Sequence, residues 1–199
     1  MPVVADAVML IVGARKRGIT CLSKSDRGSQ YGSHEGCLGE ISVQKITPFL
    51  WFDNNAEEAM NFYVSIFKNS RVVNSSRYGE GSPMPKGTFM VGTFSLNGQE
   101  FMVLNGGPHY KLTPAFSLMV NCETQEEIDH YWEKLIADGG KPIQCGWLED
   151  KFGVSWQIVP TLVGELIGKG DAEKTNHMMQ ALWGMVKLDI AALRKAYEG

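Results

Sequence analysis

His109 is the first side chain to weigh as a catalyst. It follows Gly106-Gly107-Pro108, and a loop histidine beside a pocket can move protons near neutral pH. The position equally suits an ordinary surface loop, and it is read as one. His130 and His177 fall on helical stretches and read as helix-surface residues, while His34 lies in an N-terminal region rich in Gly, Ser and charge. Cys145 sits on a strand beside Gly146-Trp147 with no histidine near in sequence to activate it, so it reads as an inert buried thiol. Glu149 and Asp150 would make a carboxylate pair, but neighbours on a strand point to opposite faces. The turn into Phe152-Gly153 accounts for them, and the catalytic residues stay unassigned. Cys21, Cys37, Cys122 and Cys145 form no C-x-x-C. That spacing argues against a zinc ribbon or a disulfide scaffold and suits a reducing compartment, the cytoplasm.

The elements that position these groups come from a repeat. Phe49 to Tyr63 runs strand, turn, helix, and Leu118 to Trp132 reads as an ungapped copy that sets Glu57-Glu58 on Glu126-Glu127. Asp53-Asn54-Asn55 supplies turn and cap chemistry, and two glutamates follow where the helix dipole favours them. Ala59, Phe62, Tyr63 and Phe67 recur at helical spacing, which predicts a helix over 56–67. Strands follow at 71–78, 88–96 and 99–104, with Asn97-Gly98 as a hairpin turn. The second copy gives a strand at 116–120 and a helix over 124–137. A short strand at 142–144 comes next, then a stretch at 145–149 that continues or follows it. A strand at 154–159 closes the copy. Each copy is β-α-β-β-β, so two examples of one supersecondary unit are expected. After Pro160, helices are expected at 161–167, at 172–186 and beyond Asp189. They read as a packing appendage, with a lid or a dimer contact as alternatives.

Of the 199 residues, 44% are hydrophobic and 21% charged, and the net charge is −3. The chain can bury a substantial core. It has no basic stripe for nucleic acid and no polybasic segment for a membrane. Residues 1–44 read as a poorly ordered extension, an upstream start or an organellar presequence. Val3 to Ala14 is too short to span a bilayer, and its basic run follows rather than precedes it, contrary to a secretory signal. The organisation expected is an extension at 1–44, a first module at 45–105, a linker and second module at 106–160, and a helical appendage at 161–199.

The motifs Ile46-Thr47-Pro48-Phe49-Leu50-Trp51-Phe52, Asn55-Ala56-Glu57-Glu58-Ala59, Leu104-Asn105-Gly106-Gly107-Pro108 and Cys145 to Pro160 resemble the vicinal oxygen chelate superfamily. This is the glyoxalase and bleomycin-resistance group, and the wording is nearest its PhnB-like branch. The resemblance covers about residues 45–160. It implies an α+β fold in which two β-α-β-β-β modules form a cupped mixed sheet, and it implies a homodimer. It also implies a label common in that branch, 3-demethylubiquinone-9 3-methyltransferase. Metal-dependent members place ligands on the first and last strands of each module. Carried onto this chain through the ungapped repeat, those positions are Thr47, Met102, Phe116 and Gln157, a poor set for a divalent ion. No metal and no cofactor is therefore expected.

The same registers predict a cavity wall of Thr47, Phe49, Trp51, Met102, Phe116, Leu118, Ser155 and Gln157, with Leu104 and Val159 beside them. This is the mixed apolar and polar lining of a small-molecule site. Trp51 and Phe49 would stack the ligand, and Gln157 would orient it. The expected function is binding of a small, partly apolar molecule without a catalytic metal. The alternative is an enzyme of the same fold, either metal-dependent or the quinone-ring methyltransferase. Against the latter, neither Gly79-x-Gly81 nor Gly106-Gly107 has the strand-loop-helix setting of a nucleotide-type cofactor site.

Overall fold

The computed structural model describes residues 45–199, and Phe49–Gly199 form one compact unit. The readings for 1–44, including those for His34, Cys21 and Cys37, lie outside the described residues. The first module comprises β1 (Phe49–Phe52), α1 (Ala56–Ile66), β2 (Arg71–Arg77), β3 (Phe89–Leu96) and β4 (Gln99–Asn105). The second comprises β5 (Ser117–Cys122), α2 (Gln125–Ile136), β6 (Lys141–Pro142), β7 (Trp147–Glu149) and β8 (Ser155–Pro160). Helices α3 (Thr161–Gly168), α4 (Ala172–Trp183) and α5 (Ile190–Glu198) follow. The fold is α+β. Each module closes its own four-stranded mixed sheet, in the orders β1-β4-β3-β2 and β5-β8-β7-β6. In both, the first and last strands run parallel and the remaining pairs antiparallel.

Local chemistry explains the boundaries. Pro48 cannot donate to a ladder, and β1 starts after it, with Phe49 opposite Met102. Asn97 and Gly98 both take positive φ (47° and 89°), the backbone a two-residue hairpin turn requires. The cap of α1 departs from expectation. Asn55 makes no side-chain cap bond; the Ala56 N–H instead donates to Asn105 Oδ1 at 2.8 Å, while Asn105 Nδ2 donates to the Phe89 carbonyl at 3.2 Å. The cap is delivered from the end of β4, a long-range contact that local spacing does not reveal. Asn105→Ala should therefore cost about 1–2 kcal/mol in a denaturant melt, as a lost cap does, although Asn105 lies outside α1. The α2 cap is local: the Glu127 N–H donates to Thr124 Oγ1 at 3.3 Å, and Glu127 Oε2 accepts from the Glu123 N–H at 2.8 Å, close to a capping box.

The two sheets share one core. Leu50, Phe52, Phe94 and Val103 from the first sheet and Leu148, Trp156 and Ile158 from the second bury with Ala59, Tyr63, Ile128 and Leu135 of the helices. Aromatic contacts join the modules: Tyr63 and Phe67 each approach Trp156 with ring centroids 5.4 Å apart, and Phe67 stacks on Tyr131 at 4.9 Å. Both sheets turn one face to this common core. The C-terminal helices build a second small core from Leu162, Leu166, Met178, Leu182, Leu188 and Leu193. Helix α4 stops at Gly184, short of the expected 186. The carbonyls of Met185 and Val186 accept instead from the Cys145 and Gly146 N–H groups at 2.8 and 2.9 Å.

Candidate binding faces of the two sheets

On the first sheet, Leu50 and Phe52 bury against the helices, so alternation turns Phe49 and Trp51 to the outer face. The ladder sets Phe49 beside Met102 and Trp51 beside Leu104, as the expected wall requires. Thr47 precedes β1 and is half-buried. Trp51 is fixed by the loop after β4. Its Nε1–H donates to the Gly107 carbonyl at 2.8 Å, and Tyr110 meets its ring edge-on at 5.0 Å. A Cβ on Gly106 would lie 2.3 Å from the Trp51 ring, so glycine is needed there for close approach. The Asn-Gly-Gly sequence thus caps a helix, makes room for a ring and holds its N–H.

The second sheet departs from expectation at both of its predicted opening-strand wall residues, Phe116 and Leu118. Leu118, Val120 and Cys122 belong to the core side, where the first two pack on the central cluster and Cys122 is part of it. Ser117, Met119 and Asn121 take the outer face. Phe116 lies before β5 and is half exposed. The reason is a loop one residue shorter in the second copy. Tyr63 and Ile66 correspond to Trp132 and Leu135, 69 positions on, but Phe49 beside Met102 corresponds to Met119 beside Gln157, 70 positions on. An ungapped repeat serves the helices and slips the strand by one, which flips every side chain. The residue equivalent to Thr47 is Ser117 rather than Phe116.

Ser117 is the polar residue the sequence reading missed, and the unequal loops, 53–55 against 123–124, were the available signal. Gln157 Nε2 donates to Ser117 Oγ at 2.8 Å. Ser155 lies on the same side of β8, since Trp156 and Ile158 point into the core. It is 1% exposed, and its Oγ has no hydrogen-bond partner. A buried orphan hydroxyl costs about 1–3 kcal/mol. Trp147 and Met119 flank Gln157 in register, and Glu149 is held by Lys141 Nζ at 2.9 Å.

Within Phe49–Gly199 the donors on the family ligand positions are the Ser117 hydroxyl, the Met102 thioether and the Gln157 amide. Hard or borderline divalent ions take imidazole, thiolate or carboxylate, so these residues do not fit such an ion. Among the described residues no three His, Cys, Asp or Glu side chains gather at metal-binding distance. Nor is there a doubly wound sheet with a glycine loop for a nucleotide-type cofactor.

His109 and His177 are exposed. His130 is exposed too, and its Nε2 lies 3.2 Å from the Ile66 carbonyl at the end of α1. Cys145 takes a positive φ of 62° and is half-buried among the C-terminal helices. Burial, with the Glu127 charge adding, pushes the Cys122 thiol up to about 12, so it stays protonated. Asp150 is buried and accepts four hydrogen bonds. Tyr63 Oη–H and Trp156 Nε1–H donate to Oδ2, each at 2.8 Å. The Phe152 and Val154 N–H groups donate to Oδ1 at 2.8 and 3.0 Å. Burial raises the Asp150 carboxyl above its usual range against the pull of these bonds, and it raises the Tyr63 phenol well above 10, with Asp150 adding. A groove of about 540 Å³ is lined by Gln125, Ile190, Arg194 and Lys195, which belong to α2 and α5 rather than to either sheet.

Paired β-α-β-β-β modules of this order place the protein in the vicinal oxygen chelate class, the glyoxalase and bleomycin-resistance folds. Residues 44–159 match the family described as 3-demethylubiquinone-9 3-methyltransferase, and the chain belongs to that PhnB-like family. A Bacillus cereus PhnB protein, provisionally described as a 3-demethylubiquinone-9 3-methyltransferase, is 48% identical. The match covers 59% of this chain and 99% of that one, with a TM-score of 0.55. A Pseudomonas aeruginosa protein shares the fold at 20% identity and a TM-score of 0.50, over 59% of this chain and 98% of its own. A Staphylococcus aureus protein is 32% identical over 59% of this chain and 97% of its own, with a TM-score of 0.28. No curated protein matches. Among the described residues, no helix is long and apolar enough to cross a membrane.

Proposed function

We propose that the protein binds a small, partly apolar molecule without a catalytic metal, on sheet faces that a second copy of the chain covers. The observation that carries this reading is the outer faces themselves. Phe49 and Met119 are 42% and 56% exposed on strands whose other sides pack on the core. Half-buried Trp51 and Met102 lie beside Phe49, and Gln157 with its Ser117 partner lies beside Met119. An apolar surface with a few placed polar groups is the usual composition of a ligand site. A homodimer that brings a first-sheet face onto a second-sheet face would close the cavity. Phe49, Trp51, Met102, Ser155 and Gln157 are proposed as binding residues, with Ser117 in place of Phe116 and Met119 in place of Leu118. Cysteines scattered without a C-x-x-C spacing suit a reducing compartment, and we place the protein in the cytoplasm.

The test is a thermal-shift screen of the full chain against metabolites, quinones, antibiotics, S-adenosylmethionine and divalent metals. Trp51→Ala and Gln157→Ala should each weaken any ligand found by at least fivefold. Unchanged affinity in both would remove the proposed site. The family description favours a second reading, a quinone-ring methyltransferase. A saturable shift with S-adenosylmethionine would establish it over the first.

A further inference from the structure

We infer that the outer face of the second sheet selects an uncharged ligand, through the neutral set of Ser117, Ser155 and Gln157. This rests on the binding reading above and narrows its ligand class. Ser155 Oγ is, among the described residues, the buried side-chain polar atom left without a partner. It lies on the side of β8 that carries Gln157 and is covered in the free chain, so a ligand polar group can satisfy it once Gln157 moves aside. Gln157 gives one N–H to Ser117 Oγ. That leaves its Oε1 as an acceptor, with its second N–H and the Ser117 O–H as donors. The set can both give and accept hydrogen bonds, and it carries no charge.

The charges nearby reinforce that choice. Glu149 stands opposite Ser155 in the ladder, and Lys141 already engages it. An anionic ligand would meet Glu149 and find the neighbouring cation taken. A cationic ligand would find that carboxylate compensated. Either would lose hydration without gaining a counter-charge. A neutral group with a hydroxyl and a carbonyl loses little, because each of its polar atoms finds a partner. Trp147 and Met119, on either side of Gln157, supply flat and flexible apolar contact for an aromatic body. The ligand class is therefore a neutral aromatic molecule with a donor and an acceptor. Gln157 is the movable member that swings from Ser117 to admit it.

Two probes of one shape and different charge test this: 4-hydroxybenzamide and 4-hydroxybenzoate, titrated into the full-length protein near pH 7. The readouts are the side-chain amide signals of Gln157 in 15N spectra and the melting temperature. The amide should bind at least tenfold more tightly than the carboxylate. Ser155→Ala should leave the melting temperature of the free protein unchanged or raised, because it deletes an orphan hydroxyl, and should weaken the amide at least fivefold. Gln157→Leu should weaken it similarly. Equal or tighter binding of 4-hydroxybenzoate would overturn the neutral selectivity and leave the binding reading standing. Saturable binding by neither probe would overturn both. Ser155→Ala that lowers the melting temperature without changing affinity would show a purely structural serine and overturn the inference.

Discussion

Asp150→Ala should lower the stability of the chain by about 4 kcal/mol, which for a chain of this size is a fall of about 10 °C in melting temperature. The carboxylate receives four hydrogen bonds from buried or half-buried donors, and its loss strands all of them. An unsatisfied buried donor costs about 1–3 kcal/mol, with some relief from relaxation. The effect is large because Asp150 joins parts distant in sequence. Tyr63 belongs to α1 of the first module, whereas Trp156 and the turn belong to the second. Asp150→Asn is the sharper variant. Its carboxamide oxygen can replace one acceptor, but its NH2 must then face either the Trp156 N–H and Tyr63 hydroxyl or the two backbone N–H groups. The tyrosine can rotate to accept; the indole cannot. About 2 kcal/mol should be lost in urea or guanidinium melts. A loss below about 0.5 kcal/mol for both variants, within the range of ordinary surface changes, would mean that the carboxylate does not hold the modules together.

Gly106→Val should cost about 3 kcal/mol and change the first sheet's outer face as well. The added Cβ would sit 2.3 Å from the Trp51 ring, far inside contact distance, so the indole must leave its place. Overpacking of this kind costs about 1–3 kcal/mol, and a branched side chain lies at the upper end. Moving the ring also breaks its bond to the Gly107 carbonyl and its contact with Tyr110. Trp51 fluorescence should shift towards that of a solvated indole, even where the protein stays folded. Gly106→Ala should give a smaller effect of the same sign. A valine variant with unchanged stability and unchanged emission would show that Trp51 is not fixed by this loop.

The fold was legible in the sequence because two kinds of signal agreed. Helical spacing located α1 and α2, and the Asn97-Gly98 and Phe152-Gly153 turns tied β4 to β8 in the correct register. Met102 and Gln157 were therefore equated correctly, and Phe49 and Trp51 fell on one face with Met102 and Leu104. The second module's opening strand was not legible to the same degree. A helix and a strand joined by a turn can shift independently when the turn changes length, and similarity in the helix hides the shift. Leu118 and Phe116 were expected on the outer face for that reason, where the strand carries Ser117 and Met119. The long-range cap from Asn105 and the Asp150 hub were hidden for another reason. Both depend on residues distant in sequence that only the folded chain brings together. Helix α4 ended early because Gly184 frees the carbonyls of Met185 and Val186 to pair with the Cys145–Gly146 backbone, a partner that helical spacing cannot foresee.

Native mass spectrometry of the purified full-length protein tests the central claim most directly. The account predicts a dimer whose mass carries no stoichiometric zinc, nickel or manganese, with or without added metal, and which takes up a neutral aromatic ligand in proportion to its chains. One tightly held divalent ion per chain, released by Gln157→Ala, would contradict it.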